Sequence, residues 1–209
     1  MRTLKRLISM LSISGIASVY AMPTHPSVLS GNMNISSSSQ GTTTYQCTSD
    51  RTIIDWDSFS LDPTDHVFFQ LPSTTSAVLN RVVGTLPSEL LGQIQSNGTV
   101  YFVNAEGIVI GTSGSIQTTT FLASTLNPDD QSFLFGGDIT FIGTTQNGVD
   151  NQGTITATTG DAVILGFRVS NEGKIFAKQG QVSFGSGQVI ILNPSNQDSI
   201  TILVPAPGP

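Results

Sequence analysis

The chain of 209 residues predicts an all-β fold: a right-handed parallel β-helix, a single-stranded solenoid of about twenty residues per rung, with an N-terminal cap and small extra β elements. Three observations predict it. Asn151, Gly153, Ile155, Ala157 and Gly160 recur twenty residues later as Asn171, Gly173, Ile175, Ala177 and Gly180. Apolar residues alternate with polar ones in the same region: Ile155 and Ala157, Val163 and Leu165, Ile175 and Ala177, Val182 and Phe184. Charged residues make up 11% of the chain, well under the roughly 25% of an average soluble protein, while Gly, Ser, Thr, Asn and Gln are abundant.

Each observation has a structural meaning. A period near twenty with Gly and Asn at its turns is the mark of stacked repeats, and β-branched residues make the repeats strands. Gly98–Val100, Gly114–Ile116 and Gly137–Ile139 extend the pattern upstream. Period-2 alternation sends one set of side chains inward and the other into water. Rungs stacked about 4.8 Å apart would then place Asn151 and Asn171 together at one corner. An antiparallel sandwich is the structural alternative, since short strands with frequent turns fit it too.

The elements follow in order. Arg2, Lys5 and Arg6 precede an apolar stretch, Leu7–Val19, and Val19 and Ala21 occupy the positions that a signal peptidase inspects. Residues 1–21 read as a secretory signal peptide cleaved between Ala21 and Met22. Their apolar run falls short of the roughly 20 residues that span a bilayer. Residues 22–44 are rich in Ser, Thr and Asn and begin the cap. Residues 45–204 form the β-helix, and Pro-rich residues 205–209 end it. Within the coil, Thr52–Trp56, His66–Leu71 and Ala77–Val82 read as strands. Pro87–Gly92 reads as one helical turn, because Pro near the start and Gly at the end fit helix termini. The irregular segment Gly31–Leu71 is expected to cover one open end of the stack. Pro205, Pro207 and Pro209 cannot donate to further pairing.

Asn104-Ala105-Glu106-Gly107, between the apolar runs Val100–Val103 and Ile108–Ile110, predicts a tight turn. Asn opens such a turn by bonding the backbone two residues on, and Gly tolerates the conformation that leaves it.

Composition excludes several functions. The net charge is −6, and three of the eight basic residues fall in the signal peptide, so no basic patch exists to bind nucleic acid. Cys47 is alone, so no intramolecular disulfide forms, and it reads as a small buried residue. His25 and His66 stand apart, no metal-ligand spacing occurs, and neither a metal nor a cofactor is expected. Asp138, Asp150 and Asp161 do not repeat at the rung offset, so nothing aligns them as catalytic carboxylates. Asp55 and Asp57 flank Trp56 and read as solvated residues around a buried anchor. No catalytic residues are expected, and the chain reads as a non-enzyme.

Several motifs, separated along the chain but in the same order, resemble one family. Asn97–Asn127 is similar to the N-terminal secretion domain of filamentous haemagglutinin-like and high-molecular-weight adhesin exoproteins, the two-partner secretion family of Gram-negative bacteria. Thr52–Phe59 resembles the family's "I-x-W-x-S-F" opening, Ala77–Val82 its "V-L-N-R-V" strand, Pro87–Gly92 its "P-S-x-x-x-G" turn, and Ser199–Pro207 its closing strand. The resemblance runs from about Gln40 to Pro207. It implies a domain recognised by a cognate outer-membrane TpsB-type β-barrel transporter with periplasmic POTRA repeats, which nucleates β-helix folding as it emerges. It further implies a monomer exported through the periplasm to the cell surface or medium, and here a secretion domain without the usual passenger. Asn104, Ala105, Glu106 and Gly107 become the candidate transporter-recognition turn. Ala105 and Glu106 depart from the family's Pro and Asn, so a partner reading those side chains reads them differently. The alternative function is a stand-alone small surface adhesin that binds a host or surface glycan or protein through a flat polar sheet face.

Overall fold

The computed structural model describes residues 22–37, 41–195 and 199–203. The expected signal peptide, with Ala21 of its cleavage site, and the Pro-rich terminus lie outside the described residues. Met22 is half-buried against the coil.

Three parallel sheets wind about a common axis. The first stacks Arg51–Trp56, Ala77–Val82, Thr99–Asn104, Thr120–Ser124, Ala162–Gly166 and Val182–Ser186. The second stacks Ser88–Leu90, Ile108–Ile110, Gly148–Asn151 and Arg168–Asn171. The third stacks Thr42–Cys47, His66–Gln70, Gln93–Ser96, Ser115–Thr118, Thr154–Ala157 and Lys174–Ala177. The pairing within each stack is parallel, which excludes the sandwich. The sequence repeat is the register itself: Asn151 pairs with Asn171, Ile155 with Ile175, and Ala157 with Ala177. This is the parallel β-helix that the repeat predicts.

The N-terminal cap is narrower than Gly31–Leu71. Ser27–Ser30 and Met33–Ser37 lie antiparallel on Arg51–Trp56 and Thr42–Cys47, Thr24 forms an antiparallel bridge with Ser58, and parallel coiling has begun by Thr42. Beneath the cap the lumen is filled by aromatic rings. Trp56 meets Tyr45 and Phe59 edge-on with centroids 5.0 and 5.2 Å away, and Phe59 meets Phe102 at 4.9 Å. Trp56 is fully buried, and its Nε1–H donates to Asn80 Oδ1 at 3.1 Å. Large rings fill the end of the coil, and the indole N–H among them is satisfied.

A second core lies outside the coil. Ile53, Leu79, Leu122, Val163 and Leu165 point from the outer face of the first sheet into it. Val163 and Leu165 therefore leave the lumen, which is lined at that rung by Ala162 and Ile164. The cover is a side unit: strand Asn127–Pro128, helix Asp130–Phe135, and strands Ile139–Ile142, Val189–Ser195 and Ser199–Leu203, paired antiparallel. The chain leaves the coil for this unit between Ser124 and Gly148. Phe121 consequently pairs with Ala162, about two rungs' length further along the sequence. Asp129 caps the helix, its carboxylate accepting from Ser132 N at 2.7 Å, and Gly136 at φ 76° ends it. Phe133 is buried. Arg51 donates to Phe133 O at 2.7 Å with its guanidinium 5.3 Å from the ring centroid. Arg81 bridges Asp55 and Asp130, both at 2.8 Å. Asp55 is thus an ion-pair member rather than a solvated neighbour of Trp56, whereas Asp57 is exposed.

Pro87–Gly92 is not helical. Ser88–Leu90 is a strand pairing with Ile108–Ile110, with Ser88 and Leu90 both turned inward. A single helical turn satisfies few backbone groups by itself, whereas the neighbouring rung supplies a complete ladder. At the other end of the coil, Val182 and Phe184 share the inward face of Ala162 and Ile164, yet they are 40% and 50% exposed. Their rung is the last among the described residues, and none of those stacks on it.

Candidate functional site

The turn Asn104–Gly107 forms the corner between the first and second sheets. Gly107 N donates to Asn104 O at 3.1 Å, closing it, and Glu106 N donates to Asn104 Oδ1 at 2.9 Å. Both bonds follow the local chemistry expected of Asn at the first position. The next contacts come from neighbouring rungs. Asn104 Nδ2 donates to Leu86 O at 3.0 Å and to Ser88 Oγ at 2.9 Å. Ser88 N donates to Gly107 O, and Asn147 Nδ2 donates to Ala105 O, each at 3.0 Å.

Asn104 is therefore wholly buried, with both amide hydrogens and its carbonyl oxygen engaged inside the protein. Gly107 is buried at φ 117°, where a Cβ would meet nothing closer than 3.7 Å, so its requirement is conformational rather than steric. Of the four residues only Ala105 and Glu106 face outward, Ala105 half-buried and Glu106 exposed. Sequence reading located the turn but missed Leu86, Ser88 and Asn147, whose only signal was a place one rung away.

Two grooves meet at Glu106. One, of about 520 Å³, is lined by Asp55, Arg81, Val83, Gly84, Ala105 and Glu106. The other, of about 440 Å³, includes Pro87, Glu106, Asn147, Asp150, Arg168 and Ser170. Val83 and Leu86 beside the turn are 54% and 69% exposed.

The remaining chemistry-bearing residues do not converge. Asp150 Oδ2 accepts from Gln152 Nε2 and Asp161 Oδ1 from Gln181 N, in separate places. Among the described residues no group of three His, Cys, Asp or Glu side chains could hold a metal ion. Burial pushes the Cys47 thiol up to about 11, which keeps it a protonated packing residue. His25 Nδ1 lies 3.0 Å from Asp57 at the surface.

A parallel coil, capped at one end and carrying a side unit on one sheet, defines the class of β-solenoid proteins. The family is narrower. The model of the TPS secretion domain matches residues 18–206, and the chain belongs to that family. The two-partner secretion domains it comprises serve transport and adhesion rather than catalysis, and their exoproteins pass through a TpsB transporter to the cell surface or medium.

The fold is similar to the HMW1 secretion domain of Haemophilus influenzae, with a TM-score of 0.78 and 30% identity over 87% of this chain and 49% of that one. It also resembles the filamentous hemagglutinin secretion domain, with a TM-score of 0.57 and 16% identity over 88% and 69% of the two chains, a likeness of fold alone. In sequence, the heme/hemopexin-binding protein of Haemophilus influenzae strain Rd is 33% identical over 162 residues, 78% of this chain and 16% of that protein. A second Haemophilus influenzae protein of the same name is 31% identical over 121 residues. The chain thus spans under a fifth of the length of these relatives.

Proposed function

We propose that this chain is the export module of a two-partner system and has no catalytic role. Its N-terminal signal delivers it to the periplasm, the POTRA repeats of a cognate TpsB-type barrel bind it, and it coils rung by rung as it emerges. The observation that carries this reading is the last described rung, whose inward face no described residue covers. Val169, Ile175 and Ala177 are only partly buried there, and Val182 and Phe184 are 40% and 50% exposed on lumen-facing positions. Asn171 accepts from Asn151 at 2.7 Å, and its own amide has no partner among the described residues. An apolar face, three strand edges without a partner among the described residues, and the free end of the Asn ladder form a template on which a rung would stack without nucleation cost. The heme and hemopexin binding for which the relatives are named is not carried over, because this chain spans so little of them.

The test is export with and without the paired transporter. With the transporter present, the processed chain is expected in the medium or at the cell surface. Without it, the chain should remain in the periplasm. Equal export in both strains would refute the proposal.

A further inference from the structure

We propose that the outward half of the turn, with the first groove beside it, is a docking site for a basic and partly aliphatic protein segment, and that Glu106 is the residue reading its charge. The natural partner is taken to be the transporter, so in that respect the inference rests on the proposed function.

The division of labour within the turn comes first. Asn104 and Gly107 are spent on the fold, as their burial and hydrogen bonds show, so a partner can touch only Ala105 and Glu106. Bonds that Asn104 donates to Leu86 O and Ser88 Oγ, and that Ala105 O accepts from Asn147, fix the turn from both adjacent rungs. A surface held in this way loses little freedom on binding.

Charge selects the partner. Glu106 is exposed and forms no ion pair with any described residue. The single cation lining the first groove, Arg81, is already held by two carboxylates, Asp55 and Asp130. The groove therefore carries uncompensated negative charge, and an arginine or lysine complements it. The shoulder selects the rest. Val83 and Leu86, 54% and 69% exposed beside the turn, place two apolar side chains next to Glu106. An aliphatic residue next to the cation would cover them. Acidic or purely polar segments, glycans included, meet neither feature.

The probe is an acetylated hexapeptide of alternating leucine and arginine, titrated into the full exported chain and followed by backbone amide NMR. Its control replaces each arginine by citrulline, which keeps the shape and removes the charge. The arginine peptide is expected to shift resonances of residues 83–86 and 105–106 and to bind at least about fivefold more tightly than the citrulline peptide. Glu106→Gln should abolish that preference, and Leu86→Ser should weaken both peptides. Glu172→Gln, an equal charge change on the last rung, should alter neither. Both site residues are exposed, so an unchanged melting temperature verifies folding. Equal affinity of the two peptides for the natural chain, shifts confined to other regions, or a preference that survives Glu106→Gln would overturn the inference. A chain that shows the preference but is exported equally without its transporter would instead sink the proposed function and leave the site standing.

Discussion

The side-chain amide of Asn151 donates to Oδ1 of Asn171 at 2.7 Å, across one rung and twenty residues of sequence. Asn151 Oδ1 in turn accepts from Gly153 N at 3.2 Å. The sequence repeat and the physical stacking of rungs are one fact seen twice: Asn151 bonds the turn of its own rung through Oδ1 and the repeat-equivalent Asn171 of the next rung through its amide.

The two residues should differ in what they contribute. Asn151 is fully buried, so Asn151→Ala removes two side-chain bonds and leaves Gly153 N with Ile110 O alone, at an expected cost of about 1–3 kcal/mol. Asn171 is exposed, and Asn171→Ala should cost clearly less. Denaturant unfolding of both variants checks the order, and equal losses would show that the ladder is not governed by burial.

The side unit should be separable from the coil in stability. Phe133 plugs the second core, and Phe133→Ala is expected to cost about 3–5 kcal/mol. Arg51→Ala removes both the bond to Phe133 O and the contact with its ring, and should loosen the helix before the lumen. Hydrogen exchange should then rise in residues 127–142 while Val100, Ile116 and Ile155 stay protected. Uniform loss of protection would make the unit an integral part of the coil's cooperativity.

Stability should fall at alkaline pH. Burial raises Tyr45 from 10.0 to about 12 and Cys47 from 9.0 to about 11. In both cases the folded state holds the proton more tightly than the unfolded chain. Their contribution is therefore complete below about pH 9 and is lost as pH rises through the folded values, between about 9 and 12. A melting temperature that stays flat from pH 8 to 12 would contradict the burial of these groups.

Gly107 is a conformational requirement. Gly107→Ala introduces no contact nearer than 3.7 Å, yet imposes a side chain at φ 117°. A loss of about 1–2 kcal/mol is expected from the backbone alone. An unchanged melting temperature would mean that the turn relaxes freely.

What was legible in the sequence was whatever repeats or acts locally. Asn151 with Asn171 and Ile155 with Ile175 announced the coil, and Asn104 with Gly107 announced the turn. What was not legible depends on the neighbouring rung or on a second core. Val163 and Leu165 alternate as lumen residues would, but the first sheet is buried on both faces, so alternation alone could not choose the side. Ser88–Leu90 sits between residues that suit helix termini, and the ladder of Ile108–Ile110 overrode that preference. Asp129, Asp130 and Gly136 carry ordinary cap signals for the short helix, which went unread beside the strand pattern around them. Leu86, Ser88 and Asn147 reach the turn only through the coiling, and no local spacing marks them.

The most direct measurement of the central claim sets export against stability for Asn104→Ala and Glu106→Lys in cells carrying the paired transporter. In this account the buried Asn104 serves the fold and the exposed Glu106 serves the partner. Asn104→Ala should lower the melting temperature and reduce export, with export recovering at lower growth temperature. Glu106→Lys should leave the melting temperature unchanged and reduce export at every temperature. Normal thermal stability with abolished export for Asn104→Ala would contradict the account and make Asn104 itself the residue that the transporter reads.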